Sequence, residues 1–392
     1  MSPVYLQAPA WLSALGRGTD AREAMFGLRS AGMAVTERYT PGRPLHLGCV
    51  TEPLPSLESQ PVAFRSRTNA LLAAVVPDLQ PMLETALSQH GPDRIAVVLG
   101  VSAAGLQEGV AAARQFRAQG SWPAGYDYAQ QEMGNAAAFL KRALGLRGPA
   151  YTVSTACSSS AKALASAARL LHAGIADAVV AGGVDALSGF TIGGFSALES
   201  VSAQRCNPLS AHRSGINIGE GAALFVVSRE PSAVRLAGWG ESSDAHHMSA
   251  PEPGGRGALA AMEQALARAG IPAGAIDYVN LHGTATRQND AMEALAVARL
   301  LGHEVPVSST KPLTGHALAA AGAIEAAIAW HTLAANPSGR LPPHLWDGVR
   351  DPELARVRVV AAGESLGRSP RHVLSNSFAF GGSNACLVFS GE

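Results

Sequence analysis

A chain of 392 residues with 47% hydrophobic content has enough apolar side chains for one large core or two closely packed halves. Its 30 basic and 30 acidic residues cancel, which excludes a global attraction to nucleic acid or to an anionic membrane surface. Cys49, Cys157, Cys206 and Cys386 are scattered with no C-x-x-C pair, so neither a disulfide framework nor a metal site is expected, and a reducing, cytoplasmic setting is. The opening residues carry no basic segment before an apolar run, and Pro3 and Pro9 interrupt them, so no secretory signal is expected.

In chain order the patterning predicts a strand over 95–99 ending at Gly100, a helix over 136–144, a strand over 150–154 and a helix over 159–173. A strand over 178–181, a strand over 222–228 and a helix over 257–269 follow. The Gly182-Gly183 and Gly193-Gly194 pairs read as turns. They fit neither a dinucleotide fingerprint nor a phosphate-binding loop. The Ala-rich stretch 317–330 carries Glu325 in its middle and reads as a core helix rather than a membrane span. This alternation is α/β with mostly buried sheets. It is also duplicated, each half running through a strand to a glycine turn (Gly100, Gly283) and then a strand to a reactive side chain (Cys157, His316). The boundary set here gives halves at 1–236 and 237–392.

Three side chains share one syntax. Cys157 stands between a β-rich run and an Ala-rich helix, where backbone N–H groups and the helix dipole favour thiolate over thiol. His282 and His316 each follow a strand-like run and precede small residues. In open α/β sheets ligands gather at the carboxyl ends of strands, so three such ends can converge on one pocket. A lone cysteine or histidine is usually structural; the three together read as a catalytic set. His246-His247 lacks a supporting carboxylate or ligand spacing, and Ser158, Ser159 and Ser160 lack a nucleophile elbow and read as helix-capping residues.

The motifs TACSSS, HGTATxxND, KPLTGHxxxAAG and NSFAFGGSN, in this order, resemble those of the elongating β-ketoacyl-acyl-carrier-protein synthases of the thiolase-like superfamily. The resemblance implies a five-layer αβαβα fold of two duplicated halves and a decarboxylative Claisen condensation of malonyl carrier with an acyl group on Cys157. His282 and His316 would stabilise the developing charge, with a buried Lys311–Glu325 pair orienting them. The backbone N–H groups of Cys157 and Phe380 would form the oxyanion hole. Thr284 and Thr286 would bind the pantetheine arm, Phe378 and Phe380 would form a gate, and Val101 would sit at the end of a roomy acyl pocket. No cofactor is implied, because phosphopantetheine arrives on the acyl carrier protein. Implied partners are that carrier and either a second copy or a chain-length-factor subunit, with no nucleic acid and no membrane span. Arg65, Arg67 and Arg205 are candidate carrier contacts. Three features depart from the common pattern: an opening without VVTGxG, RSGINIGE at 213–220, and Ala379 where glycine is usual. The first two resemble the ketosynthases of aryl-polyene and xanthomonadin-type pigment clusters. A non-catalytic chain-length-factor subunit is the alternative, but such subunits lack the cysteine that this chain retains.

Overall fold

The computed structural model describes residues 2–392. The strand Ile95–Gly100 is buried along its whole length. Ala96 and Val98 face a central core, while Ile95, Val97 and Leu99 face an outer one. The strands Ala178–Asp185 and Gly221–Ser228 divide their residues between the same two cores. Apolar residues on both faces are what a sheet covered on both sides requires, which is why these strands read as unbroken hydrophobic runs.

Sheet order shows the duplication. In the first half Ala150–Val153, Ile95–Gly100 and Ala178–Asp185 run parallel, and then Gly221–Ser228 and Ala10–Ser13 follow with antiparallel pairings. The second half repeats this as Pro306–Ser308, Tyr278–Asn280, His372–Ala379, Ser383–Gly391 and Val234–Ser243, the last of which runs across the boundary set at 236/237. The short strand Tyr5–Leu6 pairs with both Gly221–Ser228 and Val234–Ser243 and joins the halves into one hydrogen-bonded path. Between the sheets lie the helices Ser159–His172 and Ala321–Leu333, packed on each other and on strands of both halves. The helices Arg67–His90 and Asn135–Ala143 cover one outer face, and Arg256–Ala269 with Arg287–Leu301 cover the other. The result is the five-layer αβαβα arrangement.

Two glycine readings are corrected. Gly182 and Gly183 lie inside a strand rather than a turn, and Gly193 and Gly194 inside the helix Gly189–Ala197. A Cβ at Gly182 would stand 1.9 Å from the Ala223 carbonyl oxygen and one at Gly183 2.6 Å from Ser160 Cβ, so these glycines allow close approach rather than chain reversal. The stretch 317–330 is divided: Leu318, at φ +49°, opens a short 3-10 turn, Leu318–Ala320, and the helix runs over Ala321–Leu333. The helix Arg67–His90 is long and apolar enough to cross a membrane by length and composition alone. Its Leu71, Leu72, Val75, Leu79 and Leu83 are instead buried in the outer core of the first half, and Pro77 and Pro81 lie within it.

Candidate active site

Cys157 follows the strand Ala150–Val153 and precedes the helix Ser159–His172. Ala156, immediately before it, is held at φ +51°, a conformation costly for a residue with a Cβ and found where a side chain is being aimed. The serines hold this turn without capping the helix. Ser158 Oγ donates to the Thr155 carbonyl (2.8 Å), and Ser159 Oγ donates to the Ala156 carbonyl (2.6 Å) while accepting from Thr155 N–H (2.9 Å). The capping expectation is therefore corrected: the Ser158 and Ser159 hydroxyls are spent on the turn itself, and Ser160 Oγ accepts from Ala323 N–H (2.8 Å) of the other central helix.

His316 occupies the matching position in the second half, after Pro306–Ser308 and before the central helix Ala321–Leu333. Its backbone is clamped from both sides, its N–H donating to the Asn217 carbonyl (2.6 Å) and its carbonyl accepting from Gly219 N–H (2.9 Å). That clamp needs glycines: a Cβ at Gly48 would lie 2.3 Å from the Thr314 carbonyl oxygen, and one at Gly219 2.7 Å from the same atom. His316 Nε2 lies 3.0 Å from Cys157 Sγ. His282 follows Tyr278–Asn280, and its ring meets that of His316 edge to face at 5.3 Å between centroids. The sulfur and a nitrogen from each imidazole all lie within 4.8 Å of one another, and all three residues are buried. The structure thus brings the three together.

Electrostatics set the protonation states. Burial, reinforced by the positive charge of Lys311, holds both histidines well below their ordinary value, so both rings are neutral at pH 7. Lys311 itself forms a buried ion pair with Glu325. Burial pushes the Cys157 thiol up to about 12, against the lowering influence of Lys311 and of a hydrogen bond from Phe380 N–H. Proximity to the helix start therefore does not yield a resting thiolate, because desolvation of the charged form outweighs it.

Thr284 and Thr286 line the cleft over these residues and share a hydrogen bond (3.0 Å). Phe378 and Phe380 line it too, Phe378 with its ring 6.2 Å from that of His282 and Phe380 5.4 Å from Phe195. In their loop the left-handed positions are Gly381 (φ +82°) and Gly382 (φ +72°), and Gly381 N–H donates to the Met248 carbonyl (2.8 Å). Ala379 sits at φ −108°, ordinary extended backbone, so its Cβ imposes no constraint there. The cleft holds a cavity of about 50 Å³. Val101 does not line it; its side chain is buried in the outer core of the first half. Arg67 is also removed from the expected carrier surface, since its guanidinium binds the buried Glu220 carboxylate at 2.7 and 2.5 Å.

Sequence reasoning missed two carboxylates. Glu293, fully buried on the helix Arg287–Leu301, accepts the N–H of His282 (2.8 Å) and of Gly283 (2.7 Å) and so fixes the backbone of the first histidine. Its helical spacing from Asn289 and Asp290 was a usable signal, since the three share a buried face. Asp185 carried no such signal, because its partners come from two segments remote in sequence. Asn217, Phe195, Ser200 and Ile216 were also missed, the last three lining the cleft.

Comparison with known proteins agrees with this geometry. The family described as Beta-ketoacyl synthase, N-terminal domain matches residues 80–233, and Beta-ketoacyl synthase, C-terminal domain matches residues 233–345. Nodulation protein E of Rhizobium sp. (strain N33) is 33% identical over 393 residues, spanning 95% of this chain and 96% of that protein. The 3-oxoacyl-[acyl-carrier-protein] synthase 2 of Rhizobium meliloti (strain 1021) is 38% identical over 262 residues, 62% of this chain and 61% of the relative. Among solved structures, a chain of the complex between a ketosynthase and its chain length factor from Xenorhabdus doucetiae superposes with a TM-score of 0.94 at 41% identity, covering 100% of this chain and 98% of that one. The chain belongs to the beta-ketoacyl synthase family, acyltransferases that form carbon–carbon bonds between acyl units.

Proposed function

We propose that the chain condenses malonyl carrier protein with an acyl group held on Cys157, with the roles distributed as follows. Cys157 attacks the thioester of an acyl carrier; its Sγ becomes acylated, the pantetheine sulfur leaves, and the thiol proton goes to that sulfur. The Phe380 N–H and the His316 ring stabilise the sulfur's transient charge, which offsets the burial that otherwise keeps it protonated. Nδ1 is unpartnered in both histidines. A bare acceptor is a smaller penalty than an orphaned N–H, so the ring protons are assigned to Nε2. Malonyl carrier then loses CO2, and the electron pair left behind forms an enolate whose oxygen receives the two Nε2–H donors. The enolate carbon attacks the Cys157 thioester, the N–H groups of Cys157 and Phe380 hold the tetrahedral oxyanion, and collapse releases β-ketoacyl carrier and a cysteine thiolate that takes up a proton. Lys311 and Glu325 keep the rings neutral and in place. Thr284 and Thr286 receive the pantetheine arm.

A cavity of about 50 Å³ is of the order of one or two waters. In this reading Phe378 and Phe380, which line the cleft, swing aside to admit the acyl chain. The acyl carrier protein is the substrate-bearing partner and brings the pantetheine, so the chain needs no cofactor of its own. Arg65 and Arg205 remain its candidate contacts. The likeness to the Xenorhabdus doucetiae complex favours a chain-length-factor partner over a second copy, with this chain as the catalytic member because it carries the cysteine and both histidines. The sequence departure at 213–220 supports assignment to pigment-type chain elongation, and four unpaired cysteines suit the cytoplasm.

The observation that carries the reading is the 3.0 Å approach of His316 Nε2 to Cys157 Sγ with His282 beside them. Intact-mass analysis and CO2 release test it. Cys157→Ala should take no acyl group and form no product. His282→Ala should still be acylated but release no CO2, a loss of roughly 100-fold or more, as expected for removing a donor to a developing oxyanion. Product formation by Cys157→Ala would overturn the proposal.

A further inference from the structure

Asp185 ends the strand Ala178–Asp185 and is completely buried. Its carboxylate accepts from Ser102 N–H (3.0 Å), Ser102 Oγ (2.6 Å) and Ala103 N–H (2.8 Å), all in the segment after the first-half strand Ile95–Gly100. A fourth donor, Ala319 N–H at 2.8 Å, comes from the second half, three residues after His316. The turn it grips is strained, Leu318 standing at φ +49°, and a strained turn persists only where its surroundings over-determine it. The backbone of His316 itself is held by Asn217 and Gly219, and the bond from Ala319 N–H to Asp185 holds the turn that follows it.

We propose that Asp185 is a positioning residue for the condensation: by joining the segment after Gly100 to the turn after His316, it keeps His316 Nε2 at the Cys157 sulfur. The inference rests on the condensing reading above. Asp185 also bears on the thiol through its charge, without a hydrogen bond to it. Its negative charge and that of Glu325 raise the proton affinity of Cys157, while Lys311 lowers it; His316 and His282, the remaining titratable groups at the sulfur, are neutral.

Asp185→Asn preserves shape but leaves one acceptor oxygen for donors that now share two. The expected result is a condensation kcat lowered by up to about a hundredfold, the scale of small misplacements of a reacting group, with KM for the carrier substrate unchanged. Alkylation of Cys157 by iodoacetamide should begin at lower pH than in the wild type, because a negative charge that raises the thiol's proton affinity is gone. Asp185→Glu should recover part of kcat and return the alkylation profile towards that of the wild type. Thermal melting of each variant controls for folding. Wild-type kcat together with a wild-type alkylation profile in Asp185→Asn would overturn the inference. So would a kcat that falls only in step with thermal stability while the alkylation profile stays fixed, since that is a purely structural role. A wild-type protein that makes no ketoacyl product would sink the condensing reading alone, and the alkylation comparison would still decide whether Asp185 acts on Cys157.

Discussion

At the scale of single residues the site is governed by desolvation. The two histidines are neutral because charging them in a dry pocket beside Lys311 is unfavourable, so their folded-state pKa values lie well below 6.5. Condensation should therefore keep its rate as pH falls through 6.5, where an exposed histidine would already be charging, and lose it only at lower pH. A kcat profile with an acid limb centred at 6.5 would contradict this. Stability follows with mixed sign. Neutral His331 and His344, with values near 4, contribute stability that is present above 6.5 and lost as pH falls towards 4. Asp185, at about 6, and Glu293, at about 7, act oppositely: each binds its proton more tightly when folded, so its contribution is complete below the ordinary carboxylate range and lost as pH rises through those values. Cys157, His282 and His316 were readable in the sequence because each stands between a strand run and small residues. The charge state of Cys157 was not, because burial is a property of the assembled layers.

At the scale of elements, short irregular joints do the aiming. The strands Ile95–Gly100, Ala150–Val153 and Gly221–Ser228 and the helix Ser159–His172 were legible from apolar periodicity to within a residue or two, whereas the joints were not: nothing in Ala156 or Leu318 announces a left-handed backbone, which neighbours impose. The gate shows the same distinction. Its positive φ values fall at Gly381 and Gly382, while Ala379 is extended. Ala379→Gly should leave both half-reactions close to wild type. Gly381→Val should strain the loop by roughly 1–3 kcal/mol and slow condensation more than acylation. Rapid-quench measurement of acyl-Cys157 and of product distinguishes these outcomes; equal slowing of both steps by Gly381→Val would mean that the loop only supports the fold.

At the scale of the whole molecule, the duplicated sheet order places Cys157 and His316 at equivalent points of the two halves, each after a parallel strand and before a central helix. The repeat was visible in the sequence as paired strand-to-reactive-residue junctions. Its closure was not, because the last strand, Ser383–Gly391, is inserted between His372–Ala379 and Val234–Ser243 rather than added at an edge. Removing that strand should abolish cooperative melting and Cys157 acylation together, measured by circular dichroism and intact mass. A truncated chain that melts cooperatively would refute this.

That interior placement of the final strand has a consequence for synthesis. The ribosome releases the thiol-bearing half long before the segment that completes the sheet, so a chain stopped early has an unfilled gap in its hydrogen-bonded ladder and an exposed apolar central helix, features that chaperones and proteases recognise. The reactive cysteine thus sits in a closed pocket only once Ser383–Gly391 has joined the sheet, and a chain stopped before it holds Cys157, His282 and His316 without the strand that completes the ladder between them.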